Sequence, residues 1–201
     1  MGDDEALKYC RQEVIDEVTK FYAFLTTLHV PRSALHVPPP GGWPSITAES
    51  HALFKKNDEV IELMRHLPYI ERHDHATAHP VYPLTACVDY DGEFVRQQIK
   101  FANETHQDID LLSIEPDDED EQVPSEVLCL ASESSGADGC WFLLDTELGV
   151  ITFYDPMKGI RGKGTVITKV NSKHPSFLHV AAKPTLVRSV WPKDNVTIAS
   201  L

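Results

Sequence analysis

Residues 140–155 read CWFLLDTELGVITFYD, and this stretch decides the fold. Residues 141–144 are continuously apolar, which is typical of a strand that is covered on both faces. Residues 145–149 form a short polar connection ending in glycine, which adopts a positive φ at the least cost. Residues 150–154 then alternate in the manner of a second strand. The sequence therefore predicts a β-hairpin at the centre of a sheet.

Working outward, the strand signals cluster in the later half of the chain and the helix signals in the earlier half. Apolar or alternating runs predict strands, some of them at sheet edges, at residues 82–90, 127–131, 165–170, 177–182 and 185–191. This order differs from the regular alternation of strand and helix in parallel sheets. We therefore expect an α+β fold with a mainly antiparallel sheet and N-terminal helices packed on one face.

The earlier half predicts two helices joined by a linker. Residues 4–28 place apolar side chains three and four apart, which favours a helix docked on the sheet, although a partner-binding helix would show the same stripe. Residues 30–46 hold five prolines and a Gly-Gly pair, which indicates an extended linker pinned to the body by Trp43. Thr47 is the expected N-cap of a second helix that runs to about Arg65. A third, shorter helix is expected from 93 to 101.

Length and composition predict one domain over residues 1–201. The 42% hydrophobic and 24% charged residues are values of globular proteins, which excludes wholesale disorder. No apolar run approaches the ~20 residues that cross a membrane. The start, MGDDEALKYC, does not have the pattern of a signal peptide, and the four cysteines show no CxxC spacing. We expect free thiols, a cytoplasmic protein and no membrane partner.

Charge is distributed unevenly along the chain. The net charge is −13, yet residues 156–201 carry eight Lys and Arg against the single acid Asp194, a local balance of +7 that leaves −20 for residues 1–155. So acidic a body argues against nucleic acid as a partner. The basic end either packs on the acidic body or binds a partner, and we favour packing. A separate acidic stretch, residues 115–126, has seven acids and no base, which predicts a surface loop.

Residues 71–80, ERHDHATAHP, carry the most suggestive chemistry in the chain. His73, His75 and His79, with Asp74 between them, are ligand types for zinc. One interpretation is a zinc centre or an acid–base site of a small enzyme acting on a small molecule. The other is a solvated loop that is rich in histidine. Spacing alone does not decide between them, because His73 and His75 share a face in a strand whereas His75 and His79 share one in a helix.

The succession of elements around the hairpin resembles the SUKH superfamily, which includes bacterial toxin-immunity proteins and a fungal cell-wall-integrity regulator. The resemblance rests on a strand, a glycine-containing turn, an apolar strand ending in Asp, a glycine, and a strand ending in an aromatic residue and Asp. These parts correspond to residues 127–131, 135–139, 141–145, Gly149 and 150–155. Upstream, the stretch from GWPSI to HLPYI is similar to small uncharacterised fungal proteins. The resemblance implies a binding domain without catalytic residues.

The leading expectation for function is therefore a non-enzymatic protein-interaction module with a protein partner and no cofactor. The alternative is a metal-dependent or acid–base enzyme that uses His73, Asp74, His75 and His79, with zinc as the cofactor.

Overall fold

The computed structural model describes residues 9–72, 78–105, 123–134, 139–154 and 165–167. These residues form an α+β fold in which helices lie mainly in the N-terminal half and the main sheet is antiparallel, as the sequence predicts. The helices within them are α1 (Arg11–Leu25), α2 (Asp58–His66) and α3 (Glu93–Thr105). None of these helices has the length and apolar character that crossing a membrane requires.

The described strands form two sheets. In chain order they are β1 (Leu35–His36), β2 (Tyr69–Ile70), β3 (Pro80–Tyr82), β4 (Thr85–Cys87), β5 (Val127–Glu133), β6 (Trp141–Asp145), β7 (Val150–Tyr154) and β8 (Thr165–Ile167). β1 and β2 pair with each other, and β3 to β8 make a six-stranded sheet in which every strand neighbours the next one along the chain. All of these pairings are antiparallel.

The hairpin of β6 and β7 confirms the prediction for residues 140–154. Its register runs from Trp141 opposite Tyr154 to Asp145 opposite Val150. The Asp145 carboxylate accepts the backbone N–H groups of Glu147 and Leu148, each at 2.8 Å. Gly149 closes the turn with a φ of +65°. A carboxylate at the first position and a glycine in the left-handed region are what this turn requires.

Helix α1 covers the core with one face and meets α2 with its beginning. Its buried side chains are Val14, Val18, Tyr22 and Leu25, spaced three and four apart. Arg11 donates to both carboxylate oxygens of Glu59, with Nε–Oε1 at 2.8 Å, which ties α1 to α2. The described helix ends at Leu25 rather than 28, and residues 4–8 of the predicted stretch lie outside the described residues.

The linker is anchored to the body by Trp43, as predicted. The indole Nε1 donates to the Leu67 carbonyl at 2.9 Å, the Trp43 backbone N–H donates to the Arg65 carbonyl at 2.8 Å, and the ring stacks on Tyr69. Earlier in the linker, β1 pairs with β2 through Leu35 opposite Ile70. The linker is thus part of the folded body.

The prediction of one helix from Thr47 to Arg65 is wrong. Residues 47–51 form turns, Ala52–Phe54 is a single 3₁₀ turn, and Lys55 takes a φ of +53°, which ends helical geometry. The hydroxyl of Thr47 accepts the Ser50 N–H at 3.0 Å within a local turn. The real N-cap is Asn57, whose side chain accepts the Val60 N–H at 2.9 Å.

The predicted strand at 82–90 is divided by a turn. β3 ends at Tyr82, Leu84 takes a φ of +55°, and β4 returns only as far as Cys87. A turn at Asp91–Gly92 follows, in which the Gly92 N–H donates to the Asp89 carbonyl at 3.0 Å. Helix α3 and strand β5 occur where they were predicted and extend further, to Thr105 and Glu133 respectively.

Several predictions fall outside the described residues. They concern the acidic stretch up to residue 122, the continuation of the 165–170 strand past Ile167, and the edge strands at 177–182 and 185–191. All four cysteines are free thiols, as predicted, and Cys87, Cys129 and Cys140 are buried.

Candidate functional site

A small apolar groove lies between α1 and the main sheet, and we refer to it as the groove. Its volume is about 40 Å³. Helix α1 forms one wall, and side chains from β3, β5, β6 and β7 form the other. The residues that line it are Val18, Phe21, Tyr22, Val81, Tyr82, Leu130, Ala131, Phe142 and Ile151.

Three aromatic rings form the part of the sheet next to the groove. Phe142 of β6 lies opposite Phe153 of β7, so both side chains stand on the same sheet face. Their ring centres are 5.3 Å apart, and the Tyr82 ring lies 5.6 Å from Phe142 and 5.5 Å from Phe153. All three rings meet edge to face, the arrangement that aromatic pairs favour. All three side chains are only half-buried, so α1 leaves this end of the sheet partly uncovered.

An apolar cavity of this size favours an apolar occupant. The groove opens to solvent and its lining is almost entirely apolar, so an apolar side chain that enters it is removed from water together with the walls. Water gains little in such a place because it needs polar partners. The groove is therefore suited to receive one apolar side chain, and its walls carry no group for acid–base chemistry apart from the tyrosine hydroxyls.

Two large apolar side chains at the end of α1 are exposed to solvent, and we name them the helix-end patch. Phe24 is 56% exposed and Leu28, one helical turn further on, is 62% exposed. His29 holds this end of the helix region against the sheet edge, since its Nε2 lies 2.8 Å from the Pro80 carbonyl oxygen at the start of β3. Phe21, three residues before Phe24 on α1, is half-buried and lines the groove.

A buried arginine connects β2, β5 and α3. Arg72 follows β2, is 2% exposed, and donates to the Ser132 hydroxyl at 2.9 Å and to the Glu133 carbonyl at 3.0 Å. Its guanidinium also lies 4.9 Å from the centre of the Phe94 ring. A buried charge held by hydrogen bonds and an aromatic face fixes the relative positions of these elements.

Two further buried ionisable groups lie on the chain around β4. Burial raises the pKa of the Cys87 thiol to about 12, so the thiolate that a nucleophile requires is scarce at neutral pH. Burial also raises the pKa of Asp89 to about 7, and the nearby Asp91 carboxylate adds to the rise. The Asp89 carboxylate accepts the Asp91 backbone N–H, which opposes the rise. Asp89 lies against Gly92, just before α3, whereas Cys87 forms hydrogen bonds with the Tyr22 side chain and the Ile70 backbone.

A serine–histidine contact is present that sequence reasoning did not anticipate. Ser50 Oγ lies 2.9 Å from His51 Nδ1, and the buried His51 ring places Nε2 3.1 Å from the Tyr90 carbonyl oxygen. Burial lowers the pKa of His51, which favours the neutral form of the ring. Ser50 is also engaged by backbone groups of its own turn, with Oγ 2.7 Å from the Ser45 carbonyl oxygen and 2.9 Å from the Thr47 nitrogen. The contact therefore organises a turn.

The predicted metal ligands are only partly within the described residues. His73, Asp74 and His75 lie outside them, whereas the half-buried His79 is described just before β3. Across the described ranges no group of three or more His, Cys, Asp or Glu side chains is placed to hold a metal ion. A zinc site on His73, His75 and His79 stays a prediction.

The residues of the groove were not singled out from the sequence. The alternation in β7 did predict that Ile151 and Phe153 share a face, and the residues opposite them in β6 are Leu144 and Phe142. Nothing in the local sequence indicates that Tyr82 reaches the same rings from β3. That contact depends on tertiary packing and has no local signal.

No protein-family model matches the chain significantly, and neither a curated protein nor a solved structure matches it.

Proposed function

We propose that this chain is a non-catalytic protein-interaction module that contacts its partner through the helix-end patch. The observation that carries the proposal is the exposure of Phe24 and Leu28, 56% and 62%, four residues apart at the end of α1 and in the turn that follows it. Single exposed apolar side chains are ordinary on protein surfaces, whereas adjoining ones mark places of contact. Covering these two side chains removes apolar area from water, which favours association.

Charge points to the chemistry of the partner. Residues 1–155 carry −20, and α1 itself exposes the acids Glu13 and Asp16. A complementary surface brings Lys or Arg around its apolar side chains, because opposite charges speed encounter and exclude wrong partners. We therefore propose a partner protein with an apolar segment flanked by basic residues.

Two further observations support a binding role. The resemblance of residues 127–155 to the SUKH superfamily implies a binding domain. In addition, the buried ionisable groups described above pack and form hydrogen bonds within the fold. These groups are Arg72, Cys87, Asp89 and His51. The contacts of these groups lie within the fold and involve no substrate.

The experiment is site-specific photo-cross-linking with the full-length protein. We place p-benzoylphenylalanine at position 24, irradiate in the native cell extract, and map the cross-linked peptide by mass spectrometry. The expected product joins position 24 to an apolar segment with flanking Lys or Arg in another protein. A synthetic peptide of that segment should bind the unlabelled protein in calorimetry, and Leu28→Ser should weaken this binding at least tenfold.

Val37 supplies the matched control, because it is 60% exposed and lies outside the helix-end patch. Val37→Ser should leave the affinity for the same peptide unchanged. Two results would show that the helix-end patch does not bind the partner. One is a set of cross-links from position 24 that reach only this chain, and the other is an equal affinity of Leu28→Ser and Val37→Ser for the peptide.

A further inference from the structure

The last described strand ends beside the groove. Ile167, at the end of β8, lies directly opposite Ile151 of β7, and Ile151 lines the groove. The chain continues for 34 residues beyond that point. We propose that the groove is the docking site of this chain's own C-terminal segment, residues 168–201, which places an apolar side chain between α1 and the sheet.

The segment is long enough to cross the sheet along the groove. The far wall of the groove is formed by Val81 and Tyr82 of β3, five strand positions from β8. The sheet curls, however, so that the Tyr82 ring lies 5.5 Å from the Phe153 ring of β7, and Phe153 pairs with Thr165 of β8. At ~3.3 Å per residue, an extended chain of about five residues therefore reaches from β8 to this wall. The first compact apolar run after β8, residues 177–180 (FLHV), begins ten residues past Ile167, which is more chain than this distance requires.

The composition of the segment complements both the groove and its surroundings. Apolar side chains recur along it at Val170, Phe177, Leu178, Val180, Leu186 and Val187. It also carries five Lys and Arg against the one acid Asp194, facing a body of −20. Exposed charge pairs each contribute little, so apolar contact supplies the docking and charge brings the segment to the right surface.

Covalent connection favours this occupant over a second copy or a separate protein. A segment that begins next to its binding surface has an effective concentration of the order of mM, which free partners seldom reach. The groove is also distinct from the helix-end patch, because Phe24 and Leu28 do not line it. The inference therefore does not depend on the proposed function.

The test uses the full-length protein with p-benzoylphenylalanine at position 82, where an aromatic ring already stands beside the groove. After irradiation of the purified protein, we expect a cross-link from position 82 to residues 168–201 of the same chain. The product should run as a monomer, and its yield should not depend on protein concentration.

Variants of the full chain locate the contact. The double substitution Phe177→Ser and Leu178→Ser should lower the yield of this cross-link at least fivefold. Leu148→Ser, in the exposed turn of the central hairpin, should leave it unchanged.

Three results would overturn the inference. A dimeric product whose yield rises with concentration would make a second copy the occupant. Cross-links confined to residues 9–154 would show that the segment lies elsewhere. A yield unaffected by the Phe177→Ser, Leu178→Ser pair would remove the run 177–180 from the groove. None of these results bears on the cross-links from position 24.

Discussion

Gly42 shows how closely the linker approaches α2. A Cβ atom at this position would lie 2.7 Å from the Arg65 carbonyl oxygen, and the φ of Gly42 is +83°. Gly41 shares the left-handed conformation, at +91°, but has no atom within 4 Å of its Cβ position. We expect Gly41→Ala to lower the free energy of unfolding by about 1 kcal/mol from backbone strain alone.

Gly42→Ala carries the same strain and adds the clash with a backbone carbonyl that already accepts the Trp43 N–H. We therefore expect it to cost at least about 1 to 2 kcal/mol more than Gly41→Ala. Urea denaturation of the two variants measures the difference. Equal losses in the two variants would mean that the linker can move away from α2 freely.

Asp89 should make stability depend on pH. Its carboxyl group is 4% exposed, and burial together with Asp91 raises its pKa to about 7, while Arg96 opposes the rise and Glu71 adds to it. Because the folded protein binds this proton more tightly than the unfolded chain, the free energy of unfolding falls as pH rises from about 4 to about 7 and is level above that range. At 1.36 kcal/mol per pH unit, the fall is about 4 kcal/mol at most.

Asp89→Asn should remove this dependence, because the amide oxygen still accepts the Asp91 N–H and carries no charge. We expect the melting temperature of the variant to exceed that of the wild type by a margin that widens from pH 4 to pH 8. Val37→Ser, an exposed substitution that changes no titratable group, serves as the control and should show no widening. If the difference in melting temperature between Asp89→Asn and the wild type stays constant from pH 4 to pH 8, the Asp89 carboxyl group does not cause the pH dependence.

The central hairpin supplies core side chains of the main sheet, and a substitution of Leu143 tests this. Leu143 is 5% exposed and stands between Cys129 of β5 and Thr152 of β7. Leu143→Ala should lower the free energy of unfolding by about 2 to 5 kcal/mol through lost transfer energy and the cavity left behind. Leu148→Ala, in the exposed turn of the same hairpin, should cost less than about 1 kcal/mol. Similar losses of stability in Leu143→Ala and Leu148→Ala would mean that the hairpin does not contribute to the core.

The elements that the sequence predicted well are those with a strong local signal. The hairpin combined an apolar run, a turn aspartate and a glycine, and each of these is a property of neighbouring residues. The prediction of one helix from Thr47 to Arg65 was wrong. The helical spacing of apolar residues begins before Asn57, in a region that forms local turns instead. Thr47 and Ser50 bond each other, and Asn57 caps a new helix. Side chains that can cap helices can also close turns, and only tertiary packing decides between them.

The candidate site was less predictable for the same reason. The groove joins α1 to four strands, so its residues come from places far apart in the chain. Histidines drew attention in the sequence because their chemistry is distinctive. Phe and Tyr side chains give no comparable signal in the sequence, because their role in the groove depends on contacts that only the fold creates.

The histidine segment gives an independent test of the enzyme alternative. The proposed interaction does not involve zinc, so we expect a chelator such as EDTA to leave both the melting temperature and the cross-linking from position 24 unchanged. Zinc retained at one equivalent after gel filtration, and lost in His75→Ala but not in His66→Ala, would favour the metal-dependent alternative instead.

At the scale of the whole molecule, charge and apolar contact should respond differently to salt. Charges farther apart than about 10 Å are screened at 0.1 M salt. If apolar contact in the groove holds residues 168–201, raising NaCl from 0.1 to 1 M should lower the melting temperature by less than about 3 °C, and the cross-link from position 82 should persist. Loss of that cross-link in 1 M salt would mean that charge alone holds the segment.

The order of strands in the main sheet also shapes how the protein folds. Each strand from β3 to β8 pairs with the next one along the chain, so most ladders close over short loops. The exception is β4 with β5, where Cys87 meets Ala131 across an intervening stretch that contains α3. Short loops lose little chain entropy on closing, whereas this long one loses more. The hairpins from β5 to β7 can therefore form as a local nucleus, and the joining of β4 to β5 becomes the step that commits the N-terminal helices to the sheet.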